Sequence, residues 1–309
     1  MTRFTDLTGI EHPIQLAPMS RAVTPSLAAA VSNLGGLGML AMGRSGAAVA
    51  NRQIDEVLAL TDRPVGAGFI FLFLDRDAWA AAAERMRIVE MFWGWPDPTL
   101  VLPGSITGWQ VGTVDEARAA VDAGCTYVIA QGVEAGGHVR DTVPLTELLP
   151  AVRAAVDVPV VAAGGIGTAA DVRRALLLGA DAVRIGTRFV ATVESDAHDT
   201  YVQRLVDGAA ADTVLTRRFD VGWPGAPVRV LASSLAAAED APDGTVAVMT
   251  AADGSTVDLP RFTTTPPTRS TTGNIEALPL YAGTSIDAVH ARQHAADVMR
   301  ELLEGTRPV

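Results

Sequence analysis

Tyr127-Val128-Ile129-Ala130-Gln131-Gly132-Val133-Glu134-Ala135-Gly136-Gly137-His138 joins an unbroken apolar run to a glycine-rich loop that ends in histidine. The four apolar residues read as a buried strand, which sets the glycines and His138 at its C-terminal end. In a barrel of parallel strands, that end carries the chemistry. Paired glycines let the backbone approach a flat ligand closely, and a neutral imidazole beside them can take up a proton near neutral pH.

Working outward, the same strand-then-helix unit repeats on both sides. Upstream, Pro13 to Met19, Leu37 to Met42, Pro64 to Phe71 and Ile88 to Trp93 are apolar runs, and a short fifth strand lies around Gly108 to Val111. Between them, Thr24-Pro25-Ser26 opens a helix through Asn33, Ala47 to Leu60 and Ala78 to Arg87 have helical spacing, and Thr113-Val114-Asp115-Glu116 starts a capped helix to Ala123. Thr126 to Ala130 is the sixth strand. Val158 to Ala163 and Ala182 to Ile185 complete eight, with helices at Leu145 to Val156 and Ala169 to Leu178. The strands are continuous apolar runs, as parallel strands covered by helices require. The fold class is therefore α/β and the architecture a (β/α)8 TIM barrel.

One stretch invites a different reading. Gly165-Ile166-Gly167-Thr168-Ala169-Ala170 matches the G-x-G-x-x-A dinucleotide fingerprint. A Rossmann domain carries it on its first strand, whereas here it follows the seventh. Gly164 and Gly165, with Arg184, Ile185, Gly186 and Thr187 at the eighth strand, are read instead as a barrel phosphate site, in which backbone N–H groups at a helix N-terminus hold the anion. Past Phe189 the alternation fades. Ser195 to Gly208 reads as a helix, Thr213 to Thr216 as a strand, Asp240 to Thr272 as a small hairpin or loop-rich cap, and about Ser285 to Leu303 as a final helix. This divides the chain into a barrel core (1–190), a substrate-binding cap (191–280) and a C-terminal helix packed back on the barrel (281–309).

Composition narrows the partners. With 309 residues, 49% of them hydrophobic, the chain can bury a large core, and its net charge of −11 opposes binding to nucleic acid or an anionic membrane. A small-molecule substrate is the expected partner. Cys125 is the only cysteine, so no internal disulfide forms. The charged start (Arg3, Asp6, Glu11) has no apolar core of a signal peptide, so a cytoplasmic monomer or homodimer is expected. His290 and His294 share a face of the final helix at a spacing that can bind zinc, but no Glu lies between them in the HExxH manner, and a solvated face without metal is expected.

In order, Ala17-Pro18-Met19, the QGVEAGGH stretch, the AAGGI of Ala162 to Ile166, Gly186-Thr187-Arg188-Phe189 and Tyr281-Ala282-Gly283 resemble the nitronate monooxygenases, formerly called 2-nitropropane dioxygenases. The resemblance implies an FMN-dependent barrel that oxidises alkyl nitronates, and by extension nitroalkanes, with molecular oxygen and without metal. It implies His138 as the catalytic base, and the flavin ring against the backbone of Ala17, Pro18 and Met19. Gln131, Gly136 and Gly137 would face the flavin. Gly164, Gly165, Arg184, Ile185, Gly186 and Thr187 would take the phosphate end. Two positions depart from the family: Gly68 stands where members often carry a flavin-facing Asn, and Val139-Arg140-Asp141 follows the histidine where many carry Arg-Gly. Together with Trp93-Gly94-Trp95-Pro96, these departures suggest a loop shaped for another substrate.

The same motifs resemble flavin-dependent enoyl-thioester reductases and NADH-dependent quinone reductases. A non-catalytic FMN binder is a third reading. A titratable His138 among small residues argues for turnover, because a pure binder has little use for such a group.

Overall fold

A computed structural model describes residues 1–42, 46–251 and 254–307, so the tip of the Asp240 to Thr272 segment (252–253) and the last two residues lie outside the described residues. The apolar runs form β1 (Ile14–Leu16), β2 (Gly38–Ala41), β3 (Val65–Ile70), β4 (Ile88–Phe92), β5 (Ile106–Val111) and β6 (Tyr127–Gln131), then the two-residue β7 (Gly137–His138), β8 (Val160–Ala163) and β9 (Ala182–Ile185). All but β7 belong to one parallel sheet in the order β1-β9-β8-β6-β5-β4-β3-β2. The sheet closes where Leu37 donates to Ile14 O and accepts from Leu16 N, both at 2.9 Å. The expected TIM barrel is therefore present. The first strand is shorter than Pro13 to Met19, because Ala17 N turns to Ile185 O at 2.9 Å and Pro18 has no N–H to extend the ladder.

Each strand obeys a period of two. Val128 and Ala130, Val183 and Ile185, and Ile14 and Leu16 face outward into the core shared with the helices. Met39, Ile88, Tyr127, Ile129, Val161 and Ala182 form a separate cluster inside the barrel, closed by Phe4 and Ile10 at its N-terminal mouth. Gly108 makes this filling possible, since a Cβ there would sit 2.3 Å from the Tyr127 ring. One layer nearer the C-terminal ends, the inward positions become polar or small: Gln15, Ala41, Gly68, Glu90, Gln110, Gln131, Ala163 and Arg184.

Beyond the barrel, β10 (Thr213–Thr216) and β11 (Val228–Leu231) pair antiparallel, and β11 also pairs with β7, with Val228 opposite His138. A helix follows at Ala232–Asp240, then β12 (Thr245–Thr250), β13 (Thr256–Pro260) and β14 (Thr271–Gly273) in an antiparallel sheet, so the Asp240 to Thr272 segment contains a hairpin. The final helix is shorter than Ser285 to Leu303. A 3-10 turn covers Thr284–Ala288 and the α-helix runs only over Ala295–Leu303, because Gln293 is drawn into extended pairing with residues 191–193. His290 and His294 therefore do not share a helix face: His294 is the helix N-cap and lies 3.2 Å from Glu194. Ala295, Val298, Met299 and Leu302 are buried in the barrel's outer core. Among the described residues, no helix is long and apolar enough to cross a membrane.

Candidate active site

A cleft of about 1280 Å³, including its solvent-open mouth, lies at the C-terminal end of the barrel. Small residues make much of its wall: Ala17, Pro18, Gly68, Gly136, Gly164 and Gly186. Gly164 (φ +108°) and Gly165 (φ +69°) adopt backbone conformations that L side chains rarely take, and a Cβ on Gly165 would lie 2.9 Å from the Glu134 Cβ. Such a wall fits a flat ring system with an anionic tail, because backbone rather than side chain meets the ligand.

Of the residues expected from sequence, all except Ile185 line this cleft. Ile185 is fully buried in the outer core and takes part through its carbonyl, which accepts from Ala17 N. Gly68 packs against proline: a Cβ there would come within 2.6 Å of the Pro18 ring, which accounts for a glycine at a position where family members often carry Asn. Gly136 abuts the backbone of Ala282 and Gly283, where a Cβ would come within 2.5 Å, so the AGGH and YAG segments interlock.

Arg184 departs from the expected phosphate contact. Its side chain is buried inside the barrel, where Nε donates to Gln15 at 3.0 Å, one terminal nitrogen to Gln110 at 2.5 Å and the other to Glu90. Glu90 also accepts from Tyr127 at 2.7 Å and from Gln15 at 2.5 Å. The N–H groups leading into the helix expected to hold a phosphate are taken by the protein itself. Asp171 caps that helix, accepting from Gly167 N at 3.2 Å and Thr168 N at 3.0 Å. An anion is left with the Gly164–Gly165 turn and with Gly186 and Thr187. The Thr187 hydroxyl accepts from Gly283 N at 3.0 Å and keeps its own proton to donate.

His138 is positioned by its backbone. Gln131 Nε2 donates to His138 O at 2.9 Å, and Gln131 Oε1 accepts from Arg140 N at 3.0 Å, so this glutamine spends its amide on the loop. Arg140 in turn binds Glu116 at 2.6 Å and lies over the Trp93 ring. Glu134 fixes the same loop, its carboxylate accepting from Leu145 N at 3.0 Å. The imidazole is stacked on Trp223, with centroids 3.9 Å apart and planes 18° from parallel, while Trp93 and Tyr281 stand edge-on or tilted at 6.2 and 5.9 Å. This apolar cage pushes its pKa down from 6.5 to about 3, through burial. The ring is neutral at physiological pH, and its Nε2 has no hydrogen-bond partner among the described residues.

Sequence reasoning missed Trp223 and the polar inner layer of Gln15, Glu90 and Gln110. Trp223 stands in the Gly- and Pro-rich turn Val221-Gly222-Trp223-Pro224-Gly225, where a lone large aromatic was the available signal. Trp93, which the sequence does single out, lies beside His138 with φ +67°, a strained value of the kind that gathers at functional sites.

Comparison with known proteins agrees with this geometry. The family profile for nitronate monooxygenases matches residues 1–95 and 100–305. A nitronate monooxygenase of Pseudomonas aeruginosa is 35% identical, over 69% of this chain and 76% of its own length. A (3aS,4S,5R,7aS)-5-hydroxy-7a-methyl-1-oxo-octahydro-1H-indene-4-carboxyl-CoA dehydrogenase of Rhodococcus jostii is 33% identical, over 76% of this chain and 66% of its own. Among solved structures, a point mutant of FabK from Thermotoga maritima superposes with a TM-score of 0.80 at 30% identity, covering 98% of this chain and 95% of that one. The nitroalkane oxidase of Streptomyces ansochromogenes superposes with a TM-score of 0.76 at 29% identity, covering 99% of each chain. The chain belongs to the nitronate monooxygenase family of flavin-dependent oxidoreductases.

Proposed function

We propose that this protein binds FMN in the barrel cleft and oxidises alkyl nitronates with molecular oxygen, His138 being the residue that meets the substrate. The observation that carries the reading is a neutral imidazole with a free Nε2, caged by aromatic rings beside a wall of small residues. The backbone of Ala17, Pro18 and Met19 and the Gly68 and Gly136–Gly137 surfaces hold the ring, while Gly164, Gly165, Gly186 and Thr187 hold the phosphate. The flavin supplies the acceptor for an electron from the nitronate anion and the means of passing it to oxygen. Residues 1–190 make up the flavin-binding core and 191–280 cover the substrate, while the segment that begins at 281 braces the barrel through Ala295–Leu303.

The lowered imidazole pKa bears on substrate choice. A base this weak is poorly matched to removing a proton from a neutral nitroalkane near pH 7. A nitronate arrives already deprotonated and asks only for a hydrogen bond, which a neutral imidazole donates from whichever nitrogen carries its proton. Nitronates are therefore the preferred substrates. The test is oxygen uptake by FMN-loaded protein given ethyl nitronate and no nicotinamide. Uptake that follows nitronate concentration is expected, and its absence refutes the proposal.

The resemblance to FabK and to the Rhodococcus dehydrogenase, together with the apolar lining by Phe92, Trp223 and Tyr281, supports a second reading. In it, the same cleft would hold a flavin that supplies redox chemistry between NAD(P)H and a larger apolar substrate lying against Phe92, Trp223 and Tyr281.

A further inference from the structure

The barrel interior contains an expensive feature that the proposed reaction does not use. Arg184 and Glu90 are 6% and 2% exposed, and replacing such a pair by packed apolar side chains is commonly neutral or stabilising. What the pair does here is orient a neighbour. Arginine has only donors, so the amide oxygen of Gln110 must face the Arg184 nitrogen 2.5 Å away, and the opposite amide orientation would set donor against donor. The Gln110 nitrogen is thereby turned away from the guanidinium. Gln110 lines the cleft, and no acceptor among the described residues takes its N–H groups. Gln131 on the adjacent strand differs, since both ends of its amide are committed to the His138 loop.

We infer that Gln110 is a flavin-binding residue whose carboxamide N–H, oriented by Arg184 and Glu90, donates to a carbonyl oxygen on the polar edge of the flavin ring. The inference rests on the reading that FMN occupies the cleft. The flavin is favoured over the substrate as acceptor because Gln110 is an inward-facing residue of a barrel strand and lines the same cleft as the small inward-facing residues Ala41, Gly68 and Ala163. His138 and the rings of Trp93, Trp223 and Tyr281 belong instead to segments beyond the barrel strands, and of the aromatic lining only Phe92 stands beside Gln110, in the β4–β5 register. A flat ring laid on small floor residues meets Gln110, whereas a substrate brought to His138 meets the loops.

Apo-protein titrated with FMN, followed by flavin fluorescence and visible absorption, tests this in wild type, Gln110→Glu and Gln110→Leu. Gln110→Glu keeps an acceptor for Arg184 and so protects the fold, which thermal melting verifies, while it removes the donor. Both variants should bind FMN about tenfold more weakly, the loss of one hydrogen bond, with a shifted visible band for the flavin that remains bound. The flavin midpoint potential should fall in Gln110→Glu, because a carboxylate disfavours electron uptake. Folded Gln110→Glu with wild-type affinity, spectrum and potential overturns the inference while leaving the flavin reading intact. Unchanged flavin binding with a raised nitronate KM assigns the donor to the substrate and also overturns it. Wild-type protein that takes up no FMN overturns both.

Discussion

Replacing His138 by Asn separates the two things its imidazole can do. Among the described residues the side chain has no hydrogen bond: its backbone carbonyl is held by Gln131, its ring is held by stacking on Trp223, and its Nε2 has no partner there. FMN binding and fold should therefore survive. For a nitronate, the loss is one hydrogen bond to the substrate, a fall of about tenfold in kcat/KM. For a neutral nitroalkane, the loss of base catalysis is added to this, at the low end of the usual range of about 10² to 10⁴ because so weak a base contributes little, from a wild-type rate that is already low. The pH dependence follows from the same burial. With its pKa lowered to about 3, the free enzyme should show no imidazole ionisation near 6.5 in kcat/KM for a nitronate. Stability behaves differently, since the unfolded chain titrates His138 near 6.5 and the folded one near 3. Within that window the unfolded state holds more protons, so stability falls as pH is lowered from about 6.5 toward 3, and then levels. Denaturant unfolding from acid to neutral pH should therefore show a shallower acid loss in His138→Asn than in wild type. Equal acid loss, or a clear ionisation at 6.5 in wild-type kcat/KM, refutes the buried neutral imidazole. Equal rate losses on both substrates would mean that His138 only positions them.

Three other perturbations test neighbouring parts of the site. Trp223→Ala removes the ring stacked on His138, so the imidazole pKa should rise toward 6.5, read by NMR titration of its ring protons; an unchanged value would assign the burial to other groups. Gly165→Val forces a β-branched residue to φ +69° and against Glu134, and should weaken FMN binding at least tenfold in a fluorescence titration, whereas unchanged affinity would put the phosphate elsewhere. Glu90→Leu leaves Arg184 buried without its carboxylate and should cost about 3 to 5 kcal/mol in denaturant unfolding, while Glu90→Leu with Arg184→Met should recover only part of it, since the Tyr127 hydroxyl and the Gln15 amide still lack their acceptor; additive losses would argue against a coupled pair.

The barrel was legible because its strands are apolar runs punctuated by helix caps such as Thr24, Thr113 and Thr168, each of which accepts a backbone N–H in the folded protein. The glycine loop and His138 were legible for the same local reason. Other features depend on what meets across the barrel, which periodicity along one strand cannot show. Arg184 reads as part of a phosphate turn until its strand position opposite Gln15 turns it inward. Gln15, Glu90 and Gln110 each interrupt an apolar strand at an inward-facing position, a signal that was present but gave no hint that the interruptions meet. The final helix failed because Gln293 is held by residues 191–193, a long-range pairing that overrides the helical spacing around it.

The central claim is tested most directly by mixing FMN-loaded protein anaerobically with ethyl nitronate, and separately with NADH and NADPH, while recording the visible flavin band. The account predicts bleaching by the nitronate and none by either nicotinamide over the same interval. Rapid bleaching by NADH or NADPH with no response to the nitronate would contradict it and establish the reductase reading.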